Sequence, residues 1–321
     1  MREATPKAPF RIQWDNSGAL KEIWRGIQVV TGLNRGGRSF PVFLDDRFLV
    51  SYPRSGNTWT RFLIANLLFP NQEVSFLNLD YLIPDVLNIN RRELAKIPRP
   101  RLIKSHEYFD PRYKKVIYIV RDPRDVVVSY YYFHLKQGYI NDGYPMEKFV
   151  TRFVSGDVDP IFASWGENVA SWIATSFNRQ GFLLLRYEDM KADTAFELAR
   201  IADFLKISTD PEKLKWAVEL SSADRMRELE RRDEHRWIGT RKRRKDVRFI
   251  RTAISGAWKG ILTESQVTQI ESTWGALMRS LRYDLVTAPK PVEHTQDMLP
   301  ARLAGGVLTS LKSDCAMQEA H

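Results

Sequence analysis

Apolar and polar positions along this chain switch repeatedly between two periods. Phe48, Leu49 and Val50 form an unbroken apolar run of strand length, and beyond a polar turn Trp59, Phe62, Leu63 and Leu67 recur at helical spacing behind Thr58. The succession repeats downstream. Strands are expected at 48–52, 101–105, 115–120 and 182–187, separated by helical patterns at 58–69, 123–137 and 161–178, with further helices at 194–206 and 264–281. This alternation predicts an α/β fold of three layers, α/β/α, in which right-handed crossovers leave helices on both faces of a central parallel sheet. Ligands of such sheets bind in a crevice outside the carboxyl ends of the strands. Residues 1–45, with Pro6, Pro9 and the stretch from Gly32 to Gly37, read as an irregular N-terminal arm. Residues 46–286 read as the folded domain. Residues 287–321 read as a largely disordered tail, with room for a short docking helix around 299–308.

The turn from Pro53 to Thr58 joins a strand to a helix, so its N–H groups, the positive end of the helix dipole and the Arg54 side chain aim at one point. A phosphate or sulfate fits there. With one glycine, Gly56, the turn is P-loop-like without the spacing of a Walker A loop. A second crevice segment is KKVIYIVRDPRDVVVSYYYF, residues 114–133, which places Arg121 at a strand end and Ser129 about two helical turns further on. Read alone, Arg121 would pair with Asp122 or Asp125 at the surface.

Charge sharpens the picture only in one place. The net charge is +10, and residues 231–251 hold ten Arg or Lys against three Asp or Glu. That segment is either a solvated loop, a patch for nucleic acid or membrane, or a mobile basic lid over a bound nucleotide. The 321 residues suffice for one α/β domain with accessory ends or for two domains. The single cysteine, Cys315, leaves no disulfide framework or thiolate metal site, and no metal is expected. Neither a signal-like apolar N-terminus nor a run of about eighteen apolar residues occurs, so a cytoplasmic protein is expected.

SYPRSGNTW, residues 51–59, resembles the TYPKSGTTW loop of the sulfotransferase superfamily, enzymes that take a sulfuryl group from 3′-phosphoadenosine 5′-phosphosulfate (PAPS) and release 3′-phosphoadenosine 5′-phosphate (PAP). The match extends over roughly residues 46–285. RDPRDVVVSYYYF resembles the family's RNAKDVAVSYYHF, in which an Arg and a Ser clamp the 3′-phosphate, positions held here by Arg121 and Ser129. RTAISGAWKGILT, residues 251–263, resembles RKGxxGxWKxxFT in part: Arg251, Gly256, Trp258 and Lys259 agree, whereas Thr252 and Ala253 replace a lysine and a glycine. The resemblance implies a donor site of Arg54, Ser55, Gly56, Asn57, Thr58, Trp59, Arg121, Ser129, Tyr187, Ser222 and Arg251. Tyr187 comes from LLLRYEDMKAD, which resembles the family's LFYEDMK segment, and Ser221 and Ser222 lie where hydroxyls approach the nucleotide. Ala223 stands where an adenine-stacking aromatic is common, which leaves Trp59 as the stacking face.

RLIKSHEYF resembles the LLKTHLP segment of cytosolic members. It implies His106 as general base and Lys104, with Arg54, as the charges on the transferring group. Glu107 is the alternative base, and His134 lies in a helix that either packs at the surface or borders the acceptor pocket. The acceptor is implied to be a hydroxyl of a small molecule, lipid or glycan. The competing reading is a non-catalytic nucleotide- or RNA-binding protein that uses the basic 231–251 segment. Acceptor identity and oligomeric state stay open.

Overall fold

The computed structural model describes residues 40–287, apart from 90, 177, 178 and 238. The N-terminal arm, nearly all of the tail, the docking helix at 299–308 and Cys315 therefore lie outside the described residues. In chain order the regular elements are β1 (Arg47–Ser51), α1 (Asn57–Leu68), α2 (Leu79–Leu82), α3 (Arg91–Lys96), β2 (Leu102–Ser105), β3 (Lys115–Val120), α4 (Pro123–Gln137), α5 (Met146–Ser155), α6 (Trp165–Ser176), β4 (Phe182–Arg186), α7 (Tyr187–Ala192), α8 (Thr194–Leu205), α9 (Pro211–Leu220), α10 (Ala223–Asp233) and α11 (Glu264–Ser280).

All four strands run parallel in the order β2-β1-β3-β4, with Phe48 opposite Ile103 on one side and Val116 on the other. Side chains alternate across this sheet with period two. Phe48, Val50, Val116, Tyr118 and Val120 enter one buried cluster, with Tyr130, Phe149, Trp172 and Trp274. Leu49, Ile117, Ile119 and Leu185 enter another, with Phe62, Leu198, Ile201 and Met226. Burial on both faces is why the central strands read as continuous apolar runs. Each fully buried side chain of this size is stabilised by about 1.5–3 kcal/mol relative to exposure. Two cores on one sheet make three layers, as the strand and helix alternation predicts.

After β1 the chain crosses to β2 on one side and then to β3 on the other, so the order reverses between β1 and β3. The crevice belongs at the carboxyl ends of those two strands.

Helix ends differ from the sequence expectation where caps decide them. The helix expected at 161–178 begins instead at Trp165, because Pro160–Phe162 forms a 3₁₀ turn and Ala163 takes φ 60°. Ser164 then caps the helix: its Oγ accepts from Glu167 N at 3.2 Å, and the Glu167 carboxylate accepts from Ser164 N at 2.9 Å. The strand expected at 182–187 stops at Arg186, since Tyr187 opens α7. Asp122 caps α4 by accepting from Arg124 N, and Pro123 takes the first helical position, where a missing N–H costs nothing.

Candidate active site

The polar turn after β1 folds over a buried aromatic ring. Gly56 caps α1 with φ 99°, and a Cβ on it would lie 2.5 Å from Tyr187 Cδ2. Only glycine fits this approach without movement. No side chain caps α1, so the N–H groups of its first turn stay available to a ligand. Asn57 braces the turn from below, its Nδ2 donating to Leu49 O at 3.3 Å and Ser51 Oγ at 3.2 Å. Thr58 is half-buried on the helix's first turn. Trp59 Nε1 donates to Ser221 O at 3.0 Å, and its ring meets Tyr187 edge-on at 5.7 Å.

Arg54 sits between two phenylalanine rings. Its guanidinium lies 4.9 Å from the Phe133 centroid and 4.7 Å from Phe249, while Nε donates to Ser129 Oγ at 3.2 Å and Nη2 to Phe249 O at 3.2 Å. Burial, with Arg121 nearby, pulls its pKa down to about 10, so it remains charged at neutral pH. Arg121 donates to Arg54 O and Ile254 O, both at 3.3 Å, and its guanidinium covers the Tyr187 ring at 4.2 Å. Its contact with Asp125, at 3.8 Å, is buried rather than a surface pair. Arg251 lies over Tyr132 at 4.6 Å and is close enough to Arg121 and Arg54 to be felt by both. Arg54, Gly56, Trp59, Arg121, Ser129, Tyr187 and Arg251 thus converge on the mouth between β1 and β3. Ser222 is used differently, because its hydroxyl caps α10 by accepting from Arg225 N at 3.4 Å.

Ser55 Oγ, Arg121 Nε and Ser255 Oγ are buried without a hydrogen-bond partner. Buried polar groups are normally paired. Three orphans beside one helix N-terminus and a cluster of guanidinium groups fit a ligand with several phosphate oxygens, as PAP has.

The second half of the site lies at the end of β2. His106 Nδ1 is 2.7 Å from Ser51 O, which can only accept, so Nδ1 carries the proton and Nε2 the lone pair. Burial, the charge on Lys104 and that on Arg54 pull the imidazole pKa down to about 3. It is neutral at pH 7. Lys104 is tied down as well: its Nζ donates to Asp85 Oδ2 at 2.7 Å in a buried ion pair, and its backbone bonds to Pro84 O and Val86 N. Burial lowers the Lys104 pKa while Asp85 works against that shift. Glu107 is also committed, accepting from Tyr113 Oη at 2.8 Å on the far side of the strand end.

Residues 44–282 match the family model described as a sulfotransferase domain. The chain belongs to that family and is a sulfotransferase. It is 30% identical over 255 residues to sulfotransferase 1 family member D1 of Mus musculus, covering 74% of this chain and 84% of that protein. It is 29% identical over 239 residues to sulfotransferase 1B1 of Canis lupus familiaris, covering 69% and 79% respectively. Among solved structures, a mouse sulfotransferase complexed with PAP superimposes with TM-score 0.60 at 25% identity, covering 75% of this chain and 87% of that one. Retinol dehydratase, solved with androsterone and PAP, shares the fold at TM-score 0.60 and 22% identity, covering 77% and 84%.

Within this sulfotransferase domain, two groups that sequence reasoning did not assign to the site hold its parts in place. Asp125 accepts from Gly256 N at 2.6 Å and Trp258 N at 3.1 Å, which pins the segment carrying Arg251 and Ser255 onto α4. Its place four residues after Arg121 was a legible signal. Asp85, nineteen residues before Lys104, carried none.

The basic segment is strapped to the domain. Buried Lys136 donates to Val247 O at 2.6 Å and Arg244 O at 3.2 Å, and Glu230 accepts from Phe249 N and Ile250 N. Arg241, Lys242, Lys245 and Arg248 stay exposed on its outer side. Among the described residues no group of three or more His, Cys, Asp or Glu is arranged to hold a metal ion, and no helix is long and apolar enough to cross a membrane.

Proposed function

We propose that this sulfotransferase transfers the sulfuryl group of PAPS to a hydroxyl of a small-molecule, lipid or glycan acceptor, with His106 as general base. The observation that carries the proposal is the Nδ1 contact of His106 to Ser51 O, which leaves Nε2 as an unprotonated acceptor at the carboxyl edge of the sheet. When bound, PAPS supplies the sulfuryl group and departs as PAP. Nε2 takes the acceptor hydroxyl's proton, and its low pKa keeps it competent throughout the neutral range. A base so weakly basic draws on alignment and on charge stabilisation across the crevice more than on proton affinity.

That charge comes from the turn. In this reading Arg54, the Ser55 hydroxyl and the N–H groups of Gly56, Asn57 and Thr58 face the oxygen that becomes negative as the bond to sulfur breaks, while the Ser55 N–H is already spent on Tyr52 O and Lys104 acts from within its pair with Asp85. They bind it more strongly in the transition state than before it. Arg121, Ser129 and Arg251 hold the 3′-phosphate, and Trp59 and Tyr187 flank the nucleotide. Lys104, held by Asp85, adds positive potential beside His106 and keeps the imidazole neutral.

The first experiment is calorimetric titration with PAP against ATP and 5′-AMP, followed by an acceptor screen with labelled PAPS. Tight binding that needs the 3′-phosphate supports the donor site; equal binding of ATP refutes it and favours a nucleotide- or RNA-binding protein. His106→Ala abolishes turnover and spares PAP affinity. Near-normal turnover in that variant removes His106 from the mechanism.

A further inference from the structure

Beyond the donor site and His106, one polar cluster in the aromatic wall of the crevice is unused by the proposed reaction. His134 is 95% buried by its 5% exposure, yet its Nε2 has no hydrogen-bond partner. It faces Asp159 Oδ2 at 3.9 Å, too far for a hydrogen bond. The Tyr130 hydroxyl donates to the same carboxylate oxygen. Asp159 keeps 37% of its side chain exposed, so its carboxylate opens outward while the ring nitrogen beside it is enclosed.

The cluster adjoins the reacting end. Tyr130 packs edge-on against Tyr52 at 6.1 Å, and Tyr52 follows Ser51, the anchor of His106. Phe162, whose N–H donates to Asp159 O at 3.0 Å, meets the His106 ring at 5.7 Å. On the other side Phe133, next to His134, carries the Arg54 guanidinium. Tyr139, 59% exposed, stands edge-on to His134 at 5.3 Å.

Resting on the reading of His106 as the base, we propose that Asp159 and His134, with Tyr130, form an acceptor subsite for a second hydroxyl group on a neutral, polyhydroxylated acceptor. A hydroxyl beside Asp159 Oδ2 and His134 gives the ring nitrogen the partner it lacks, accepting from the Nε2–H of the imidazole while donating its own hydrogen to the carboxylate alongside Tyr130. Burial, with Arg152 and Arg54 nearby, drives the His134 pKa down to about 4, so the imidazole is neutral, and the tautomer with its proton on Nε2 is the one that serves. The same arginines argue against an ammonium group here, since a cation would face Arg54 and Arg152 together. A site built to bond a hydroxyl discriminates strongly against the analogue that lacks one, because its own polar groups are then left unpaired. Tyr139 gives the acceptor an exposed aromatic face.

The chemistry is shared by sugars and by aromatic diols, and paired acceptors separate them. Binding to the enzyme–PAP complex is read by calorimetry, and turnover with PAPS by product analysis, for methyl β-D-glucopyranoside against cyclohexanol and for catechol against phenol. In wild type the polyhydroxylated member of at least one pair binds at least tenfold tighter, and which pair responds identifies the source. Asp159→Asn and His134→Phe, the latter keeping ring volume, each reduce that ratio at least fivefold, with PAP affinity as the check of fold. Equal affinity within both pairs overturns the proposal, as does a ratio indifferent to both substitutions. Preferential binding of cyclohexylamine that Asp159→Asn removes overturns it in favour of a cation site. If polyhydroxylated acceptors bind as expected but nothing is sulfated, the subsite stands and the transfer reading fails.

Discussion

Lowering the pH from 7 to 5 destabilises this fold by about 2 kcal/mol through His106 alone, from an unfolded-state pKa of about 6.5 and a folded value far below it. Above pH 6.5 neither state takes up the proton, so the group has no effect on stability there. Below it the unfolded chain binds a proton that the folded chain, with its pKa at about 3, refuses. Stability therefore falls as pH drops from 6.5 towards 3 and levels off beneath. At pH 5 the unfolded imidazole is almost wholly protonated and the folded one almost wholly neutral, so the loss is set by the unfolded value: RT ln of about 30, or about 2 kcal/mol. The assay is urea unfolding of wild type and His106→Gln at both pH values. Buried His134 obeys the same rule with a pKa of about 4 and remains in both proteins, so only the difference between them isolates His106. The wild type loses about 2 kcal/mol more than the variant, roughly 1 M in urea midpoint at an m-value of about 2 kcal/mol/M. Identical pH dependence in the two proteins would mean that His106 titrates normally, and the argument for a base that stays neutral would fail with it.

Three further outcomes test separate parts of the structure. Gly56→Ala places a Cβ against Tyr187 at a backbone angle only glycine adopts readily, and PAP affinity falls at least tenfold by calorimetry; unchanged affinity would detach the turn from the donor site. Asp85→Ala strands the Lys104 ammonium in the interior and costs about 3–5 kcal/mol in chemical denaturation, whereas Asp85→Leu combined with Lys104→Met recovers most of it. Ala253 holds φ 54°, and Ala253→Gly removes a penalty of about 1–2 kcal/mol against about 0.4–1 kcal/mol of added chain entropy, so thermal melting shifts upward for a net gain of up to about 1.6 kcal/mol.

The strands were legible because all are short and the central pair, β1 and β3, is apolar and buried on both faces, and a run such as VIYIV has no other comfortable environment. The turn at 53–58 was legible for a related reason: polar residues with a glycine between an apolar run and a helical stripe have few uses. Helix α6 was misplaced although its signal, Ser164 followed three residues later by Glu167, stood in the sequence behind the distraction of Pro160. Helix α10 was hidden because Met226 and Leu229 are its only buried apolar side chains, too few to set a period. Within the site, the residues proposed to hold the donor were readable from short motifs, while the partners that position them were not. The rings around Arg54 come from Phe133 and from Phe249, 195 residues away, and Lys104 meets its carboxylate across a connection with no pattern of its own. Contacts made by tertiary packing leave no periodicity to read.

Helix α4 meets both halves of the crevice. Asp125 at its start grips the segment of Arg251 and Ser255, Ser129 meets Arg54 one turn on, and Phe133 and His134 begin the proposed acceptor wall a turn beyond that. At 1.5 Å per residue the distance from Asp125 to Phe133 is about 12 Å. The helix is in this sense a ruler, whose rigid pitch fixes how far the proposed phosphate end stands from the proposed acceptor wall. Side chains on its last turns can be exchanged to admit different acceptors while the first two turns keep their grip, whereas inserting one residue would rotate every later contact by about 100° and break the alignment of the two halves.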